Sequence, residues 1–251
     1  LLPLAKVEAQ TNRLPVLEVP FAVQKPRMDA SSGDSAWKTG AVIPSLSYSI
    51  GVESGGRPPL PTRVLALWDE AHLYLRFVCT DPEIYVPFAG TQRDQPLYKA
   101  DVVEVFLDVN GDGRQYYELQ ANAKNQVFDQ NIVLTAEPRS NELLRLADEI
   151  VGRDFWPDLG WTMDGLQTAA SQTPDSWTVD FAIPASVVMR RLGTDKFSPM
   201  NLRANLLRYE YPRPATGDKR SLNAQNWAPV QIGCPHISPQ AMGFLKLLPR
   251  R

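Results

Sequence analysis

Histidine and cysteine are scarce in this chain of 251 residues, which has two of each: His72, His236, Cys79 and Cys234. Two histidines leave little from which to build a Ser–His–Asp relay, and no Gly-x-Ser-x-Gly elbow occurs. Cys79 and Cys234 are too far apart for a zinc spacing. One disulfide in an oxidising compartment and two buried thiols are the readings they leave open. Walker and Gly-x-Gly-x-x-Gly loops are lacking. No apolar run approaches the ~18 residues of a membrane-spanning helix, so a transmembrane segment is not expected. Neither sign of charge dominates: 26 Lys and Arg stand against 28 Asp and Glu, for a net charge of −2. A nucleic-acid partner, which needs clustered cations, is therefore disfavoured.

Apolar residues make up 43% of the chain and charged residues 22%, enough for a full core. Proline is abundant, with 22 residues; average usage is about 5%. Proline at this density cuts long helices and favours loops between strands. Leu1-Leu2-Pro3-Leu4-Ala5 is too short for a signal h-region and has no basic n-region. The expectation is an extracellular or periplasmic protein whose leader has been removed.

Residues 1–25 have no strong periodicity and read as a tail or an edge strand, ahead of one domain over 26–251. Thr62 to Trp68 and Leu73 to Cys79 alternate around a short polar turn, the pattern of a hairpin. Asp101 to Asp108 and Arg114 to Asn122 form a second hairpin around Asn110-Gly111-Asp112-Gly113. Asn141 to Val151 is the best helix candidate, and Pro184 opens a second short one through Leu192. Leu166 to Ser171, Trp177 to Ile183, Leu202 to Tyr209 and Gly243 to Leu248 complete the strands. Many short strands with regular turns predict an all-β fold, an antiparallel β-sandwich of immunoglobulin-like or jelly-roll type with one or two short helices. Trp37, Trp68 and Trp177, each on or beside an apolar strand, are expected in the core.

Four ordered motifs carry a family resemblance. The first is Val64-Leu65-Ala66-Leu67-Trp68-Asp69-Glu70 with Leu73-Tyr74-Leu75 and Asp81-Pro82. Asp101-Val102-Val103-Glu104-Val105-Phe106-Leu107-Asp108 follows, with Tyr117-Glu118 and Ala121-Asn122. Next comes Trp177-Thr178-Val179-Asp180-Phe181-Ala182-Ile183-Pro184, and last Leu202-Arg203-Ala204-Asn205, Trp227-Ala228-Pro229, His236, Pro239 and Gly243-Phe244. In this order they resemble the family 9 carbohydrate-binding modules. The resemblance implies a non-catalytic β-sandwich that grips a saccharide end between two aromatic rings, with polar side chains around it. The physics suits a pyranose, whose C–H faces stack on rings while its hydroxyl edge needs donors and acceptors.

Carried over by position, the stacking tryptophans fall on Tyr98 and His236, and the strand carboxylate on Glu104. Asn122 and Asn205 fall on polar contacts, Gln120 stands where the family offers arginine, and Trp227 is a further binding candidate. The resemblance also implies work alongside, or attachment to, glycoside hydrolases, and a structural calcium. Asp108, Asn110 and Asp112 begin like a calcium loop, but its twelfth position is Leu119, so a hairpin turn explains them as well. Two alternatives remain. Related sandwiches hold haem through Met, His or Lys, and His236 and Met242 lie close in sequence. Glu104 with Asp101 or Glu118 offers the paired carboxylates of a glycoside hydrolase.

Overall fold

The computed structural model describes residues 14–48, 60–134, 155–213, 220, 222–229 and 239–250. Its scaffold is the pair of hairpins expected from alternation. Strands β4 (Thr62–Trp68) and β5 (His72–Thr80) pair antiparallel, with Val64 opposite Phe77 and Ala66 opposite Leu75. Strands β6 (Val102–Asp108) and β7 (Gln115–Ala121) pair with Glu104 opposite Gln120. Gly111 and Gly113 take the positive φ angles of 70° and 66° that their turn requires.

Each hairpin seeds one layer. The smaller sheet runs β10 (Gln167–Thr173), β11 (Ser176–Pro184), β5, β4, β2 (Ala41–Ile43). The larger runs β1 (Val16–Val19), β14 (Gly243–Leu247), β12 (Asn201–Glu210), β6, β7, β8 (Val127–Leu134), β9 (Phe155–Asp158). A branch off β12 carries β13 (Asn223–Asn226) and then β3 (Ser47–Tyr48). The pairings are antiparallel except β1 with β14, which is parallel. Residues 16–19 thus supply an edge strand within the stretch read as tail or edge. Among the described residues one short α-helix occurs, α1 (Ala185–Val188), which continues as a 3₁₀ turn to Leu192. The helix expected over 141–151 lies outside the described residues. None of the described helices is long and apolar enough to cross a membrane.

The β-sandwich expected from the sequence is therefore the observed architecture. Its core is made by alternation. Val103, Val105 and Leu107 from the large sheet meet Val64, Leu75, Phe77, Val179 and Phe181 from the small one in a single apolar cluster. Trp177 and Trp68 join it, while Trp37 is buried on the small sheet's outer side, beneath residues 21–40. Cys79 is a free, buried thiol in the main core, and burial pushes its pKa up to about 12; Cys234 lies outside the described residues.

Two buried ion pairs brace the layers. Arg76 forks onto Asp180 with bonds of 2.6 and 2.7 Å on the outer face of the small sheet. Arg208, buried between the sheets, reaches Asp81 at 3.0 Å and Thr80 O at 2.9 Å. Since Thr80 ends a small-sheet strand and Arg208 belongs to β12, this guanidinium ties one sheet to the other.

Candidate functional site

Residues directly opposite in an antiparallel ladder share a face. Val103, Val105 and Leu107 face the core, so Val102, Glu104, Phe106 and Asp108 face outward. The ladder registers extend this outer face to Gln120 and Glu118 on β7, Gln130 and Ile132 on β8, and Leu207 and Tyr209 on β12. An outer face is ordinarily wet, yet every residue of β6 is buried.

The outer face is zoned along the strands. At one end Val102, Phe128 and Leu97 cluster with Phe88 and Tyr209. At the other, Phe106, Tyr116, Ile132 and Leu207 cluster with Met242. Between these apolar ends lies a buried polar band: Glu104, Gln120, Glu118 and Gln130. Glu118 accepts from Gln120 Nε2 at 2.5 Å and from Gln130 Nε2. The amide oxygens of both glutamines are buried without a hydrogen-bond partner. Each such acceptor costs about 1–3 kcal/mol when left unsatisfied.

Tyrosines stand at the start of β6. Tyr98, 43% exposed, sits in a 3₁₀ turn three residues before Asp101. Tyr211 Oη donates to Tyr98 O at 2.7 Å. Asp101 accepts from the backbone amides of Tyr85 and Tyr211, which fixes both tyrosines beside this turn. Burial first, then the charges of Glu104 and Asp101, push the Tyr211 pKa up to about 12, so Tyr211 lies within the field of the Glu104 carboxylate. Arg220 lies 4.1 Å over the Tyr85 ring and donates to Tyr211 O. Burial likewise pushes Asp101 up to about 7, against its two amide bonds.

Of the residues singled out from the sequence, Tyr98, Glu104 and Gln120 come together at this end of the outer face. Asn122 is close by, but its side chain is spent on the turn: Oδ1 accepts from Lys124 N and Gln126 N, and Nδ2 donates to Gln126 Oε1. Asn205 is also a brace, bonding both polar groups of Ala228 at 2.9 and 3.1 Å. Trp227 departs from the expectation of an open loop aromatic. Its backbone N–H bonds Leu206 O, and its ring packs on the main core beside Gly243, on the side of the sheet away from Glu104. The missing side chain of Gly243 provides the room. His236 lies outside the described residues.

The calcium candidates form the hairpin turn. Asp108 accepts from Gly111 N and Gly113 N, Asp112 from Arg114 N and Gln115 N, and Asn110 donates to Asp112. No group of three or more metal-ligating His, Cys, Asp or Glu occurs among the described residues. All five methionines, Met28, Met163, Met189, Met200 and Met242, are engaged in apolar packing. Three site residues were missed by sequence reasoning: Gln130 and Tyr211 outright, and Glu118 as a partner of amides rather than half of a catalytic pair. Alternation of Phe128, Gln130 and Ile132 after the Asn122 turn was the available signal for the first.

The chain is thus a two-layer β-sandwich whose large sheet carries a buried polar band on its outer face, with Tyr85, Tyr98 and Tyr211 at the start of β6. The sequence matches the family described as carbohydrate family 9 binding domain-like over residues 28–212, and the chain belongs to that family. Solved structures agree on the fold. A family 9 carbohydrate-binding module from Caldicellulosiruptor kristjanssonii in complex with cellotriose is 17% identical, with a TM-score of 0.63 over 94% of this chain and 95% of that one. Its complex with glucose gives 17% and 0.60, over 93% and 97%. A candidate carbohydrate-binding protein from Bacteroides uniformis is 12% identical, with a TM-score of 0.65 over 94% and 100%. No curated protein matches the sequence. Family membership supports a carbohydrate-binding role.

Proposed function

We propose that the protein holds a saccharide end, without turnover, over the outer face of the large sheet. Tyr98 supplies the exposed ring for a pyranose C–H face, and Tyr211 the second aromatic wall beside it. Glu104 and Gln120 meet the hydroxyl edge. The observation that carries the reading is the exposed Tyr98 ring at the turn leading into β6, in a chain of the family 9 binding-domain type. Asn122 and Asn205 contribute by holding the loops that frame the face. His236 is a further stacking candidate, as the family resemblance implies, and export with a partner glycoside hydrolase is the setting that fits such a module.

Titration calorimetry against a panel of neutral oligosaccharides tests this. Saturable binding with no release of reducing ends is expected. Tyr98→Ala should weaken it roughly tenfold, since one stacked ring contributes about 0.5–1.5 kcal/mol beyond its area. A folded protein that binds nothing in the panel overturns the reading.

A further inference from the structure

Three tyrosines from separate stretches of chain meet at the start of β6, and one aspartate ties them together. Asp101 donates its backbone N–H to Tyr85 O at 2.9 Å and accepts the Tyr85 N–H on Oδ2 in return. Its other oxygen, Oδ1, accepts the Tyr211 N–H at 2.7 Å. Tyr211 Oη then donates to Tyr98 O, three residues before Asp101. Arg220 completes the ring, donating to Tyr211 O while lying over the Tyr85 ring. Asp101 itself is 1% exposed and shares the core-facing alternation of Val103 and Val105, so it faces away from the saccharide side.

A carboxyl group that accepts an amide on each oxygen is ionised, because protonation turns one oxygen into an O–H donor that would face an N–H. The surroundings of Asp101 oppose that charge. Burial pushes its pKa up to about 7, and the cation acting on it, Arg208, is bonded to Asp81. Asp81, Glu210 and Glu104 are the other carboxylates of the cluster, and Cys79, Tyr85, Tyr98 and Tyr211 its remaining titratable groups.

We propose that Asp101 is a positioning residue for the saccharide site: its carboxylate, acting through two backbone amides, sets the spacing of the tyrosines and with it the affinity for sugar. This deepens the proposed saccharide site and rests on it. With Asp101 ionised, the segments carrying Tyr85 and Tyr211 are both tied to the base of the Tyr98 turn. Protonation releases one amide, and one tyrosine segment loses its tie. Sugar affinity should therefore be high above about pH 7 and fall as pH drops through it, opposite in direction to the contribution Asp101 makes to stability.

Two measurements on the full chain test this. By NMR of the isotope-labelled protein without sugar, the Tyr85 and Tyr211 amide resonances should titrate together, with one midpoint near pH 7. Calorimetry uses the neutral oligosaccharide of the panel that binds most tightly at about pH 8, since its own charge does not change with pH. Its affinity at about pH 5 should be roughly tenfold lower, the low end of what a hydrogen bond to a charged group contributes. Asp101→Asn turns an N–H₂ toward one of the backbone amides, so its affinity should be low at both pH values, with no step. Gly243→Ala, destabilised elsewhere, should keep the step. Should Asp101→Asn fail to fold, the amide titration and the step in the unaltered protein decide the matter. A pH-independent affinity, amides that do not titrate together, or a step that persists in Asp101→Asn each overturns the inference and leaves the saccharide reading standing. Absence of sugar binding by the folded protein at both pH values removes the two together.

Discussion

Replacing Asp81 by alanine tests the claim that the Asp81-Pro82 motif is structural rather than ligand-binding. Asp81 and Arg208 have side-chain exposures of 2% and 0%, with a bond of 3.0 Å between them. Removing one member of a buried pair leaves the other uncompensated, at about 3–5 kcal/mol. Asp81 also accepts from Trp177 Nε1 at 3.1 Å and from Glu83 N at 2.9 Å. Losing the indole's acceptor adds about 1–3 kcal/mol, though the bonds share one carboxylate and will not sum fully. The expected loss is therefore about 4–6 kcal/mol, much of the ~5–15 kcal/mol a domain commands. At about 2–4 °C per kcal/mol for a chain of this size, the midpoint should fall by roughly 10–20 °C. Thermal and urea unfolding followed by tryptophan fluorescence measures this directly. The double variant Asp81→Leu with Arg208→Met should lose less than Asp81→Ala alone, because no orphaned charge remains. Arg208 lies on the core face and Glu104 on the other, so protein that stays folded should keep its saccharide affinity. A loss below about 1 kcal/mol in Asp81→Ala, or a double variant weaker than the single, refutes the reasoning.

Asp101 should give stability an acid-favouring slope. Its folded pKa of about 7 lies above the ordinary 3.8, so its contribution is fully present below that ordinary value and is lost as pH rises through about 7. Urea midpoints between pH 5 and 8 should fall at up to ~1.4 kcal/mol per pH unit from this group, and Asp101→Asn should flatten the difference. An identical profile in the variant sinks the assignment. Gly243→Ala should cost about 1–3 kcal/mol, because the new Cβ would sit 2.7 Å from Pro15 O and 2.9 Å from Trp227 Cζ3. An unchanged melting temperature there would show that the Trp227 loop is not pressed against β14.

The hairpins were legible because period-2 alternation and the Asn-Gly and Asp-Gly turns are local signals. Strand β8 escaped because Asp129-Gln130-Asn131 interrupts its apolar residues, and its partners are supplied by the sheet. The side-chain bonds of Asn122 and Asn205 go largely to backbone groups, which carry no sequence signature. Trp227 was misread for a similar reason. A proline-rich neighbourhood suggests exposure, while its ring is half-buried against the main core beside Gly243, far away along the chain.

The most informative signal was present and easy to undervalue. In Val102-Val103-Glu104-Val105-Phe106-Leu107 both alternating sets are apolar except for one residue, as in a strand covered on both faces. An exposed outer face would tolerate many polar residues at 102, 104 and 106, and a lone glutamate there would mean little. On a covered face the same glutamate loses its water, at a free-energy cost that packing alone does not recover. Its retention beside Gln120, Glu118 and Gln130 makes a buried polar band between two apolar clusters. Glu104 is set apart less by its charge than by the apolar side chains around it.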